Sequence, residues 1–179
     1  MNRPVELIPM LCIRCQAPLP AQPDEVAWVC QPCQQGQQLS EEGNLQALEV
    51  HYAASIPAAA TGRPFWVAQG RVQIRQRQTY QGNQSRDAQA FWQTPRLFFV
   101  PAYALPLEQL VQTGTERLRQ PPALQPGPPA AFSPVNFLPS DVRPLAEYII
   151  LAIEAGRKDD LRSLEFDLQL DPPQLWVLP

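Results

Sequence analysis

Cys12, Cys15, Cys30 and Cys33 are the only cysteines in the chain, and they stand as two Cys-x-x-Cys pairs. Two residues between thiols let a tight turn aim both sulfurs at one point. Two such turns brought together complete a tetrahedron of thiolates, the ligand set of a structural zinc ion. Such a site is closed: protein fills every position, no water is activated, and the ion holds together a module too small to build its own core. The same sulfurs also suit iron in a redox role, and free thiols or disulfides are the remaining alternatives. Zinc is the expectation, because nothing else in the chain points to electron transfer. MNRPVELIPM lacks a basic stretch followed by a sustained apolar run, so the expected compartment is a reducing cytoplasm, where thiols bind metal.

The flanking residues fit two turns carried by a hairpin. Val5–Ile8 and Val26–Val29 can be the strands that enter them, and the Pro-rich run from Ala17 to Asp24 the connection between them. Residues 5 to 40 resemble a zinc ribbon, a rubredoxin-like four-cysteine module. The resemblance implies a structural metal held by the four cysteines. Two features depart from it. Gln16 and Gln34 stand where the usual knuckle has glycine, and Pro32 removes a backbone N–H that could otherwise reach the Cys30 sulfur.

Other chemistry is scarce. His51 is the sole histidine; on an alternating strand beside Tyr52 it reads as structural. Phosphate-binding loops, serine elbows and His-Glu-x-x-His helices are missing from the sequence. Asp159, Asp160 and Asp167 read as a solvated helix end and an outer strand face. An enzyme would need a pocket around Tyr52, Trp66 and Asp167, and no mechanism follows from those residues. The chain therefore reads as a non-enzyme.

Charge narrows the binding classes. Residues 1 to 44 carry Arg3 and Arg14 against Glu6, Asp24, Glu25, Glu41 and Glu42. Phosphate binding depends on Lys and Arg, so the ribbon reads as a protein-docking module. One stretch pulls the other way. Arg63, Arg71, Arg75, Arg77, Arg86 and Arg96 face Asp87 alone within residues 63 to 96. With Trp66 and Tyr80 nearby, Arg71, Arg75 and Arg77 on one strand face could track a single-stranded nucleic acid by charge and stacking. That is the alternative. The simpler reading makes those arginines a solvated face and the aromatics core.

The elements that must position these residues follow from periodicity and turn chemistry. The chain has 22 Pro among 179 residues, interspersed with apolar residues as in a folded protein with long connections. Gln34–Asn44 reads as a polar linker, dividing a zinc ribbon (residues 1 to 44) from an α+β domain (residues 45 to 179). Alternation predicts strands over Leu45–Tyr52, Pro64–Tyr80, around Phe91–Trp92, over Arg96–Tyr103, Ser163–Leu170 and Leu175–Leu178. Helices are expected from Pro106 to Arg119 and from Ser140, as N-cap, to about Arg157, the latter with a polar stripe of Arg143, Glu147, Glu154 and Lys158. Prolines between Gln120 and Pro139 exclude a helix there. The expected class is α+β: the ribbon, then a mostly antiparallel sheet with two helices on one face.

The most apolar stretch, Leu145–Ala155, contains two glutamates and is too short to span a bilayer. An apolar helix of this kind is expected to be covered by its neighbour or by another subunit. The functional expectation is an adaptor or small subunit of a larger protein assembly, with protein partners, structural zinc, and self-association open.

Overall fold

A computed structural model describes residues 9–179, so the strand expected over Val5–Ile8 lies outside the described residues. The class is α+β as expected, with a cysteine module followed by a mixed sheet and helices. The module's sheet is antiparallel and three-stranded: β1 (Ala27–Val29), β2 (Gly36–Leu39) and β3 (Leu45–Ala47). Gln34–Asn44 is therefore not a linker throughout, since its middle is the central strand of this sheet. The polar composition misled because Gln37 is wholly buried and bonded through its oxygen, while its amide nitrogen has no partner among the described residues. Its carboxamide oxygen accepts the Ile13 N–H at 3.0 Å. Gly36 sits so close to the Leu48 carbonyl that a Cβ would lie 2.3 Å from that oxygen.

The second sheet runs β4–β8–β5–β6, with β7 also paired to β5. Its members are β4 (Val50–Tyr52), β5 (Arg63–Gln81), β6 (Arg96–Pro101), β7 (Asp160–Leu170) and β8 (Gln174–Leu178). All pairings are antiparallel except β4 with β8. The first half of β5 lies between β8 and β6 and is buried on both faces, which explains the unbroken apolar run PFWVA. Its second half pairs with β7 alone. β7 and β8 follow one another along the same side of β5, with Gly70 opposite Leu170 and Val67 opposite Gln174. Pro172 and Pro173 break the ladder between them, because neither has an N–H to give.

Trp66, Ala68, Phe98 and Val100 point to one side of the sheet, where α1 (Ser85–Trp92), α2 (Leu107–Arg119) and α3 (Val142–Ala155) cover them. Phe65, Val67, Phe99, Trp176 and Leu178 point to the other, joined there by Leu124 of the Pro-rich segment. The extended chain expected over residues 120–139 thus serves both faces: Leu124 covers the one that has no helix, while Phe132, Val135 and Phe137 join the helix-side core. Gly114 of α2 permits close contact with α3, since a Cβ there would lie 2.3 Å from Ile149 Cδ1.

Several expectations are corrected. Phe91–Trp92 belongs to α1, not to a strand: Ala88 and Trp92, one helical turn apart, are its buried residues. Ser140 does not cap α3. It lies in a 3-10 turn, Pro139–Asp141, where the Asp141 carboxylate accepts the Leu138 N–H at 2.7 Å. Glu154 and Asp159 are buried rather than solvated. Among the described residues no helix is long and apolar enough to cross a membrane.

Candidate metal centre

Each Cys-x-x-Cys pair sits in a turn with the same backbone bonding. The Cys12 N–H donates to the Ala17 carbonyl at 2.8 Å and the Cys30 N–H to that of Gln35 at 3.0 Å. The Gln16 N–H returns to the Cys12 carbonyl at 2.9 Å, and the Gln34 N–H to that of Cys30 at 2.8 Å. This curl forces the residue after the second cysteine into the left-handed region. Gln16 has φ 60° and Gln34 φ 58°. Those are the positions where glycine is usual, and here glutamine carries the strain.

The turns bring all four sulfurs within 4.8 Å of one another. Cys12 Sγ lies 3.5 Å from Cys33 Sγ, and Cys15 Sγ 3.5 Å from Cys30 Sγ. Disulfide sulfurs stand about 2.05 Å apart. A tetrahedral zinc with Zn–S bonds of about 2.3 Å needs sulfurs about 3.8 Å apart, which this range brackets. Cys12 and Cys30 are fully buried, with Leu19 and Trp28 packed around them. Four soft donors at tetrahedral spacing fit a structural Zn²⁺, held by Cys12, Cys15, Cys30 and Cys33.

The two turns differ electrostatically. Burial works against the Cys12 thiolate, but the Cys15 and Arg14 N–H groups favour it and hold that thiol down to about 6. The Arg14 donor lies 3.4 Å from the Cys12 sulfur. Its counterpart in the second turn is Pro32, which has no N–H. Cys30 keeps the favourable Cys33 N–H, yet burial and the neighbouring sulfurs push it up to about 12. Cys33 also moves upward: the Gln35 N–H favours its thiolate, and burial with the other sulfurs outweighs it. Without a cation the cluster cannot hold four negative charges. A divalent ion supplies what it lacks.

The residues of the nucleic-acid alternative are dispersed. Trp66 is fully buried and donates its indole N–H to the Phe137 carbonyl at 2.7 Å. Tyr80 is largely exposed, with the Arg162 guanidinium 5.7 Å from its ring centroid. Arg71 is exposed on β5, and Arg75 is paired with Asp167. Arg77 is not on their face. A register shift between Ile74 and Gln76 places one extra residue in β5, and that bulge turns Arg77 inward. There Arg77 Nη2 donates to Asp159 at 2.7 Å and Nε to Glu154 at 2.9 Å. Glu154 also accepts the Trp92 indole N–H at 2.8 Å and a fork from Arg157. This buried cluster escaped sequence reasoning. Its one visible sign was a glutamate inside an apolar helical run.

His51 stacks on Trp176, its neighbour across the β4–β8 ladder, with ring centroids 4.9 Å apart. Comparison with protein-family models, with curated proteins and with solved structures finds no match to this chain.

Proposed function

We propose that the protein is a non-enzymatic adaptor or small subunit of a larger protein assembly, in which zinc is purely structural and the cysteine module docks onto another protein. The closed four-sulfur site carries this reading, since it leaves no coordination position for a substrate. Two further features support it. Leu11 and Ile13 flank Cys12 and are 38% and 40% exposed, an apolar pair displayed on a turn that the metal would make rigid. The described part of the module is also acidic, with Asp24, Glu25, Glu41 and Glu42 against Arg14, which disfavours phosphate.

The test is purification of the tagged protein from its own cells at native levels, with and without nuclease, beside Ile13→Glu. The reading expects a discrete protein partner that survives nuclease and is lost in the variant while zinc content stays unchanged. Partners that vanish with nuclease, or an Ile13→Glu variant that keeps every partner of the parent protein, would refute docking through the module.

A further inference from the structure

The second half of β5 has an open side. β6 pairs with β5 only as far as Arg96 opposite Gly70, whereas β7 continues along the other side to Gln81. Along a strand, successive residues turn their N–H and C=O groups to alternate sides. The Pro64 carbonyl accepts from Ala102 on the β6 side, and the Gln69 carbonyl accepts from Asp171 on the β7–β8 side. Even-numbered residues up to the bulge therefore address the β6 side. For Val72 and Ile74 that side has no strand, and among the described residues no backbone hydrogen bond from a turn or loop reaches them there. Yet Val72 is only 7% exposed. Backbone groups so placed require either water or another chain.

A cavity of about 700 Å³ opens at this edge. Gln73, Gln89, Gln93 and Gln169 line it with amides that both donate and accept, beside Trp92 and Pro95. Two charged residues complete the lining, Arg71 and Asp167. Asp167 is engaged by Arg75. Arg71 faces the neutral Gln169 across the ladder and makes no ion pair among the described residues. The uncompensated charge of the cleft is positive.

We propose that the β5 edge at Val72–Ile74 docks an extended acidic segment of a partner protein. The segment adds a short strand in line with β6, bonds its main chain to Val72 and Ile74, and sets a carboxylate on Arg71. Main-chain bonds supply affinity in strand addition of this kind, and side chains supply selectivity. Arg71 selects acidic over basic segments, and the bulge after Ile74 limits the register to a few residues. The site is separate from the cysteine module.

Amide hydrogen exchange on the zinc-loaded full chain tests it, with a ten-residue peptide alternating glutamate and threonine as probe. In the free protein Val72 and Ile74 exchange fast while Arg71 and Gln73, bonded to β7, are slow. Saturating peptide slows Val72 and Ile74 at least about tenfold. Arg71→Glu weakens the peptide's Kd by about tenfold or more, the loss of a charged hydrogen bond, without changing Tm. Ile13→Glu leaves peptide binding unchanged, which separates this site from docking through the module. Slow exchange of Val72 and Ile74 in the free protein overturns the proposal. So does no protection at millimolar peptide, or equal binding of a lysine–threonine peptide. Protection by oligothymidylate instead of peptide would assign the edge to nucleic acid and overturn it as well.

Discussion

Glutamine at positions 16 and 34 holds a backbone conformation that glycine adopts freely, at a cost of about 1–2 kcal/mol for a residue with a Cβ. Each side chain returns part of this by donating to a nearby carbonyl, Gln16 to Cys12 at 3.2 Å and Gln34 to Gln31 at 2.7 Å. Gln16→Gly, which gives up the longer bond, is expected to stabilise the zinc-loaded protein by about 0.5–1 kcal/mol, measured by denaturant titration. The gap left by Pro32 has its own consequence. Pro32→Ala restores an N–H facing the Cys30 sulfur, so Cys30 should ionise more easily and zinc should bind more tightly, as read by competition with a chromophoric chelator. Because Cys30 sits near 12 and Cys33 is also raised, zinc must displace protons at neutral pH. Affinity therefore falls as pH falls. The ligands were legible because Cys-x-x-Cys spacing is itself geometry. Arg77 was misplaced because parity along β5 reverses at Arg75, and no glycine, proline or turn residue marks that bulge.

Between elements, two contacts set the packing of α3. Gly114 lets α2 lie against Ile149, and filling that space with a methyl group forces a buried side chain to move. Alanine gains about 1 kcal/mol of helix propensity, but overpacking costs about 1–3 kcal/mol. Gly114→Ala should therefore lower Tm rather than raise it, against the usual rule for an isolated helix. The second contact is the cluster of Arg77, Arg157, Glu154 and Asp159, which ties α3 and the start of β7 to β5. Burial opposes the Glu154 carboxylate, and hydrogen bonds from Arg157 and Trp92 outweigh it and lower its pKa. Arg77 holds Asp159 down from 3.8 to about 2. A carboxylate depressed on folding contributes stability above its unfolded value, and that contribution disappears as pH falls from about 4 to about 2. Comparing Asp159→Asn with the parent protein isolates the effect from acid release of zinc. The gap in stability should be full at pH 6 and mostly lost near pH 2. Removing Arg77 by Arg77→Leu leaves two buried carboxylates short of a partner and should cost about 3–5 kcal/mol. Helix α3 and strand β7 were legible from their apolar spacing. Helix α1 was not, because adjacent aromatics fit an alternating strand as well as one face of a helix.

At the scale of the whole molecule, the cysteine module is stitched to the rest. The Val26 N–H donates to the Val135 carbonyl at 2.8 Å, the Asn136 side chain donates to the Asp24 carbonyl at 3.0 Å, and Ala27 sits in the same core as Trp66 and Ile149. Zinc removal should thus be felt well beyond the four cysteines. Calorimetry with excess chelator is expected to show the whole protein melting at lower temperature, whereas an independently tethered ribbon would leave the main transition in place. Sequence composition could not show this stitching, since it depends on which distant backbone groups meet. The strand order carries a last consequence. β8 lies between β4 and β5, yet a ribosome releases it after every strand it joins. During synthesis the sheet must wait with its centre missing, exposing apolar strands that a chaperone would shield. The cysteines emerge before any strand of that sheet, so a nascent chain can take up its metal while the sheet is still unmade.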